Sequence, residues 1–270
     1  MKPGQHDFNT SDGTRIHYLT LGDTGSWVVL IHGYTGNAHG NWFTNGIAQR
    51  LAAKHRVVAL DCRNHGRSDK PERGGPGNHQ DVIELMDHLG IDKAHIHGYS
   101  MGGMITSRIL AEAPDRFITA SFGGSGIREE DEAWQKQVPK DKQGRDPEED
   151  TCSRNLRVSS AMDNGMSREE AEKRVDAAIL EAKKNPPPAR RLTIRPLDID
   201  LSRIEVPMLA INGEFDSPWA KTFRLWREAR DFTNVILPGK SHLTAIVAGY
   251  MPPEYPDSLE RFIESNDAAA

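Results

Sequence analysis

The stretch Ala94-His95-Ile96-His97-Gly98-Tyr99-Ser100-Met101-Gly102-Gly103-Met104-Ile105 decides how this chain is read. Ala94 to His97 has the length and apolar character of a short buried strand. Met101, Met104, Ile105, Ile109 and Leu110 then recur at near-helical spacing, which predicts a helix over Met101–Glu112. Between the two lies Gly98-Tyr99-Ser100-Met101-Gly102, a G-x-S-x-G pattern in the strand–turn–helix setting that gives it meaning. The reason is steric. A serine raised on so tight a turn leaves no room for side chains two residues before or two after it. Ser100 is therefore the candidate nucleophile. Met101 opens the helix, so its amide is free to donate to an anion.

Outward from this turn, the same grammar repeats. Trp27–Ile31, Arg56–Leu60, Phe117–Phe122, Met208–Ile211 and Val235–Leu237 are compact apolar runs, as strands buried on both faces would be. Thr14–Leu21 alternates polar and apolar, like an edge strand. Helical stretches fall between them at Trp42–Lys54, Gln80–Leu89, Pro218–Ala229 and Pro253–Glu264. Strand and helix in alternation predict an α/β fold with a parallel sheet and crossover helices. Residues 126–199 break the pattern. Charges crowd Arg128–Asp150, and Ser167-Arg168-Glu169-Glu170 has capping-box spacing. A helix is expected from there to Lys184, stopped by Pro186-Pro187-Pro188. The expected organisation is a core of 1–125 and 200–270 with a helical insertion at 126–199. The final residues Asp267–Ala270 are expected to fray.

A serine hydroxyl needs a base. Of the eleven histidines only His242 follows Ser100, just after the last expected strand, so it is the candidate base. The base needs a carboxylate to fix its tautomer. Asp216, after the strand ending at Ile211, is the choice, with Glu214 the local rival and a helix N-cap the alternative role for Asp216. The turn after Phe122 reads Gly123-Gly124-Ser125-Gly126 and offers no carboxylate. A tetrahedral intermediate would need two N–H donors, for which Met101 and Tyr34, in the loop His32-Gly33-Tyr34-Thr35-Gly36, are the candidates. Gly33, Tyr99 and Trp134 are the candidate substrate contacts. His32, His95 and His97 read as packed structural residues.

Composition narrows the field. With 37% apolar and 27% charged residues the chain can build a core, so disorder throughout is excluded. Net charge is −5, which gives no basis for neutralising nucleic-acid phosphates. No apolar run approaches the ~20 residues of a bilayer span, and Met1–Asp7 carries no apolar signal segment. Cys62 and Cys152 stand 90 residues apart, neither a metal cluster nor a disulfide framework. A soluble cytoplasmic protein without metal or cofactor is the expectation.

Taken in order, these motifs resemble the α/β-hydrolase superfamily. The marks are His32-Gly33-Tyr34, Asp61-Cys62-Arg63-Asn64-His65-Gly66-Arg67-Ser68-Asp69, Leu85-Met86-Asp87-His88-Leu89-Gly90-Ile91, the Gly98–Gly102 turn, Gly213-Glu214-Phe215-Asp216 and Gly239-Lys240-Ser241-His242. The resemblance covers about 15–125 and 200–265. It implies an eight-stranded, mostly parallel sheet with helices on both faces and a lid inserted after the sixth strand. Residues 126–199 sit where that lid belongs. Their charge, with Trp134 the only aromatic, disfavours a long-chain lipase. The implied activity is a serine carboxylesterase acting on a small-molecule ester or lactone. Amides, thioesters and carbon–carbon bonds stay open, as does a non-catalytic small-molecule receptor with a vestigial triad.

Overall fold

The structure, a computed structural model, describes residues 2–72, 78–163, 165–185 and 197–267. Eight strands form one sheet: β1 (Gly4–Asn9), β2 (Arg15–Leu21), β3 (Trp27–Ile31), β4 (Arg56–Leu60), β5 (Ala94–Tyr99), β6 (Phe117–Gly123), β7 (Met208–Gly213) and β8 (Phe232–Leu237). Their order across the sheet is β1-β2-β4-β3-β5-β6-β7-β8. β1 and β2 pair antiparallel, as do β2 and β4; every later pairing is parallel. The helices are α1 (Ile47–Leu51), α2 (Asn78–His88), α3 (Met101–Glu112), α4 (Glu132–Gln135), α5 (Glu149–Asp163), α6 (Arg168–Lys184), α7 (Pro218–Glu228) and α8 (Glu254–Asp267).

The continuous apolar strands are those covered on both faces. One cluster joins Val29, Ile31, Ile96 and Phe122 to α2, α3 and α7 through Val82, Leu85, Ile105, Ile109 and Leu225. The other joins Val28, Leu30, Leu209 and Ile211 to Trp42, α1 and α8 through Leu51, Tyr255 and Leu259. The sheet thus has α1 and α8 on one face and α2, α3 and α7 on the other. Its carboxyl edge, where β5, β7 and β8 end, carries the loops of interest.

Several elements depart from the expectation. β1 supplies the eighth strand, unmarked in sequence because only Phe8 is buried along it. The helix expected over Trp42–Lys54 is a π-turn at His39–Phe43 followed by α1, interrupted where Gly46 takes φ 84°. Between β6 and β7 the chain leaves the sheet and forms α4, α5 and α6. α5 was not marked in sequence. α6 begins with the capping box, Ser167 accepting from the Glu170 amide. Pro186–Pro188 and Ala268–Ala270 lie outside the described residues. Asp267 is not frayed; it ends α8 and accepts from His95 Nε2 at 3.3 Å.

The buried histidines His97, in β5, and His32, just after β3, are tied into this core. His97 bonds Ser121 Oγ and Tyr255 Oη, each at 2.9 Å. His32 Nε2 accepts from the Cys62 amide at 3.0 Å, and its Nδ1 faces the Gly33 carbonyl at 2.7 Å. Burial lowers both, His97 to about 3 and His32 to about 4. They remain neutral hydrogen-bonding parts of the sheet. Asp61 accepts from the Ala38 and Arg67 amides at 2.8 and 2.7 Å, which makes the Arg63–Asp69 run a structural loop.

Candidate active site

Ser100 stands at the sharp turn between β5 and α3 with φ 53° and ψ −109°, a conformation that non-glycine residues rarely hold. The turn is possible because its flanks lack side chains. A Cβ on Gly98 would lie 2.1 Å from the Gly102 carbonyl oxygen. One on Gly102 would lie 2.0 Å from the Ile31 carbonyl oxygen. The Ser100 amide is held by the Gly123 carbonyl at 2.8 Å.

His242, in the loop after β8, places Nε2 2.9 Å from Ser100 Oγ. Its Nδ1 lies 2.8 Å from Asp216 Oδ2. A carboxylate accepts only, so the Nδ1 side carries the proton and Nε2 is left to accept from the serine hydroxyl. Three side chains from separate loops are thus brought into one chain of hydrogen bonds. Glu214, the rival acid, is engaged elsewhere: it accepts from the Gly239 amide at 2.9 Å and pairs with Lys142 at 2.9 Å. Those contacts hold its carboxyl below the usual range. Asp216 does not cap α7 either. The N-cap is Ser217, and the free amides of Trp219 and Ala220 point to Asp141 instead.

The amides of Met101 and Tyr34 face no competing demand from regular structure. Met101 is the first residue of α3 and precedes its ladder. The Tyr34 loop closes on itself through the Gly36 amide and the Gly33 carbonyl at 3.0 Å. A Cβ on Gly33 would sit 3.5 Å from Ser100 Cβ, so this loop runs against the serine.

A cavity of about 680 Å³ opens at Ser100 and His242. Met101, Met104, Ile105 and Arg108 line it from one face of α3, at the i, i+3, i+4, i+7 spacing that marked the helix. Ile127, Arg128, Glu130 and Leu197 line it from the segment between β6 and β7, and Ser125, Ser217 and Lys221 close the base. Of the expected substrate contacts, none lines this cavity. Gly33 and Tyr34 border Ser100 from the loop side, and the Tyr34 ring is turned to solvent beside His65. Tyr99 lies beneath the turn, buried, with its hydroxyl donating to the His242 carbonyl at 2.5 Å. Trp134 is stacked under the Arg227 guanidinium at 4.5 Å. Tyr99 is packed into the core, and Trp134, exposed, meets a guanidinium instead of the cavity.

Two residues at the site had no motif to announce them. Lys221 Nζ lies 2.5 Å from Asp216 Oδ1 and donates to the Gly124 carbonyl at 3.2 Å. Burial pushes this ammonium down from the ordinary lysine range, and the Asp216 charge partly opposes the shift. Gly124 has φ 55°, and a Cβ there would come within 3.0 Å of the His242 ring. The glycine run after β6 was visible in sequence as a place without a carboxylate; its use as the floor under His242 was not. Among the described residues no group of three or more His, Cys, Asp or Glu side chains is arranged to hold a metal ion.

A profile of the alpha/beta hydrolase fold matches residues 26–227, three quarters of the chain. The chain belongs to the α/β-hydrolase fold family. Among curated relatives of this hydrolase-fold chain is a dihydrolipoyllysine-residue acetyltransferase component of an acetoin cleaving system from Pseudomonas putida, 41% identical over 113 residues. That match covers 41% of this chain and 30% of the relative. A 2-hydroxy-6-oxo-6-phenylhexa-2,4-dienoate hydrolase from Burkholderia cepacia is 37% identical over 117 residues, 42% of this chain and 40% of the relative. The matches therefore span well under half the length of these proteins. A solved 2-hydroxy-6-oxo-6-phenylhexa-2,4-dienoate hydrolase from Rhodococcus sp. strain RHA1 superposes over 98% of both chains with a TM-score of 0.63 at 22% identity, a likeness of fold. Among the described residues no helix is long and apolar enough to cross a membrane.

Proposed function

We propose that this protein is a serine hydrolase that cleaves a carboxylic ester or lactone of a small molecule through an acyl-enzyme. The observation that carries the reading is the Ser100–His242–Asp216 chain, with contacts of 2.9 and 2.8 Å, opening on one cavity. In this reading His242 Nε2 takes the Ser100 proton as Oγ attacks the carbonyl carbon. The Met101 and Tyr34 amides hold the oxyanion that forms. His242 then passes the proton to the leaving alkoxide, and Asp216 stabilises the imidazolium in between. Water, deprotonated by His242, releases the acid and restores the serine. The chemistry calls on no cofactor. The wall of Met101, Met104, Ile105, Ile127 and Leu197 suits an apolar acyl or alcohol group, and the lid reading of the insertion is supported by Ile127, Arg128, Glu130 and Leu197 lining the cavity. Two unpaired, buried cysteines support a reducing, cytoplasmic setting, and the negative net charge supports a small-molecule rather than a nucleic-acid partner.

One other reading has a specific observation behind it. The Burkholderia cepacia relative is named as a dienoate hydrolase, which favours carbon–carbon bond hydrolysis on the same residues. Purified protein separates the two. Multiple turnover of short p-nitrophenyl esters and lactones, abolished in Ser100→Ala, is expected. Turnover of 6-oxo-dienoates alone, with none of esters, would replace the ester reading. Stoichiometric ligand binding without turnover of either would replace both with a receptor.

A further inference from the structure

The loops that present Asp216 and His242 follow different strands, and neither is fastened by the sheet alone. The Phe215 amide ties them to each other through the Lys240 carbonyl at 2.9 Å, Tyr99 and Lys221 hold them from below, and a further set of ties comes from residues 141–148, between α4 and α5. Asp141 Oδ1 accepts from the Trp219 amide at 2.8 Å and Oδ2 from the Ala220 amide at 3.4 Å. It thereby caps α7, whose own N-cap residue, Ser217, sits at φ 50° with no side-chain cap. Five residues on, Asp146 is 2% exposed and reaches the other loop. It accepts from the Ser241 amide at 3.2 Å, from the Thr244 hydroxyl and from the Glu148 amide at 2.8 Å. Ser241 is the residue before His242. Its amide is shared with Thr244 Oγ1 at 2.9 Å, so Asp146 and Thr244 together hold the backbone on both sides of the imidazole. Two outer ion pairs, Lys142–Glu214 at 2.9 Å and Lys240–Glu148 at 3.0 Å, repeat the connection at the surface, where such pairs contribute little.

We propose that Asp146 is a positioning residue for His242, with Asp141 its counterpart for the Asp216 turn, so that the segment between β6 and β7 sets the alignment of both loops. The proposal rests on the acyl-transfer reading given above. Its physical basis is that a buried acceptor with several donors fixes backbone position more sharply than apolar packing does, and a displacement of about 1 Å at a reacting group costs about 100-fold in rate. Burial alone would push the Asp146 carboxyl up. The Thr244 hydroxyl, the Glu148 and Ser241 amides and the Lys240 charge outweigh it and hold the carboxyl below the usual range. It is thereby kept as an acceptor for the loop that carries His242.

The test uses Asp146→Ala, Asp146→Asn, Thr244→Val and Asp141→Ala in the full chain. Two readouts are followed: kcat and KM on p-nitrophenyl butyrate, and the low-field NMR proton of His242 Nδ1, assigned by its absence in His242→Gln. Asp146→Ala is expected to lower kcat about 100-fold with KM within about twofold, and to broaden the Nδ1 proton away. Asp146→Asn, which keeps one carbonyl acceptor, should recover part of the loss, and Asp141→Ala should show the smaller deficit of an outer cap. If Asp146→Ala fails to fold, the near-isosteric Asp146→Asn and Thr244→Val carry the test, each with a lower kcat and a weakened proton signal. A lower Tm with wild-type kcat and an intact proton signal in these variants gives Asp146 a stability role alone and overturns the proposal. Loss of the Nδ1 proton in Asp146→Ala while Ser100→Ala still turns over ester would keep the positioning role and overturn the acyl-transfer reading. Unchanged signal and kcat with Ser100→Ala inactive would do the reverse.

Discussion

The sheet and the segment inserted between β6 and β7 are held by different forces. The sheet is sandwiched between two large apolar clusters that include every parallel strand from β3 to β7. Among the described residues, the insertion's own core is Val158, Ala171 and Val175, with Ala161, Met166 and Ile179 packed against it. Its two ends join the sheet's apolar cluster through Ile127, Leu197 and Ile199, and between them polar contacts recur: Arg154 with Asp176 at 2.6 Å, the Ser167–Glu170 capping box, and the Asp141 and Asp146 contacts. Apolar burial is non-directional and sets where the loops emerge. Hydrogen bonds are directional and set how the side chains on those loops meet. The site lies on the boundary between the two regimes.

The largest expected effect is on the chemistry. Asp216→Asn should lower kcat by about 10⁴-fold, because an amide no longer fixes the His242 tautomer, and should also lower the urea midpoint, because the buried Lys221 ammonium loses the carboxylate it pairs with. A loss of that size from Glu214→Gln instead would assign the acid wrongly. Next in size is the sheet itself. Phe122 is fully buried beneath α3, and Phe122→Ala should cost about 3–5 kcal/mol in urea unfolding.

Acid should then weaken the sheet. His97 and His32 have folded-state values near 3 and 4, below the ~6.5 of an unfolded histidine, so the unfolded chain takes up protons first. Their contribution is full above about pH 6.5 and is lost as the pH falls toward those folded values, on the order of 2 kcal/mol each by pH 5. Urea midpoints at pH 7 and pH 5 measure it, and equal midpoints would contradict it. The smallest effect belongs to the insertion: Val175→Ala should cost about 1–2 kcal/mol, with the loss read locally as faster amide exchange in α5 and α6 while the sheet keeps its protection.

The same division decides how much of the molecule was readable from its residues. Strands buried on both faces write continuous apolar runs, so β3, β4, β5, β6 and β7 were visible, as was the glycine-flanked turn at Ser100. β1 was not, because it is an edge strand exposed on both faces at Gln5, His6 and Asp7, which leaves Phe8 as the sole apolar mark. α5 was not, because a helix covered along a narrow stripe needs few apolar residues, and Cys152 and Val158 are its buried ones. The short list of serine, histidine and acid was legible because each follows a strand that ends at the same sheet edge. Asp141 and Asp146 were not legible, since a charged residue that bonds 78 or 95 positions away looks in sequence like any solvated one, and Lys221, five residues from Asp216, looks like an ordinary surface lysine of α7. Tyr99 and Trp134 do not line the cavity for a related reason: an aromatic residue in sequence does not say whether its ring packs beneath a turn, as Tyr99 does, or stacks with a guanidinium, as Trp134 does.

The most direct test of the central claim, that Ser100, His242 and Asp216 act together in acyl transfer, is labelling of the folded protein with a fluorophosphonate followed by peptide mapping. A single adduct on Ser100 is expected, formed at least about 10³-fold more slowly in His242→Gln. No adduct, an adduct confined to another residue, or a Ser100 adduct formed at the same rate in His242→Gln would contradict it.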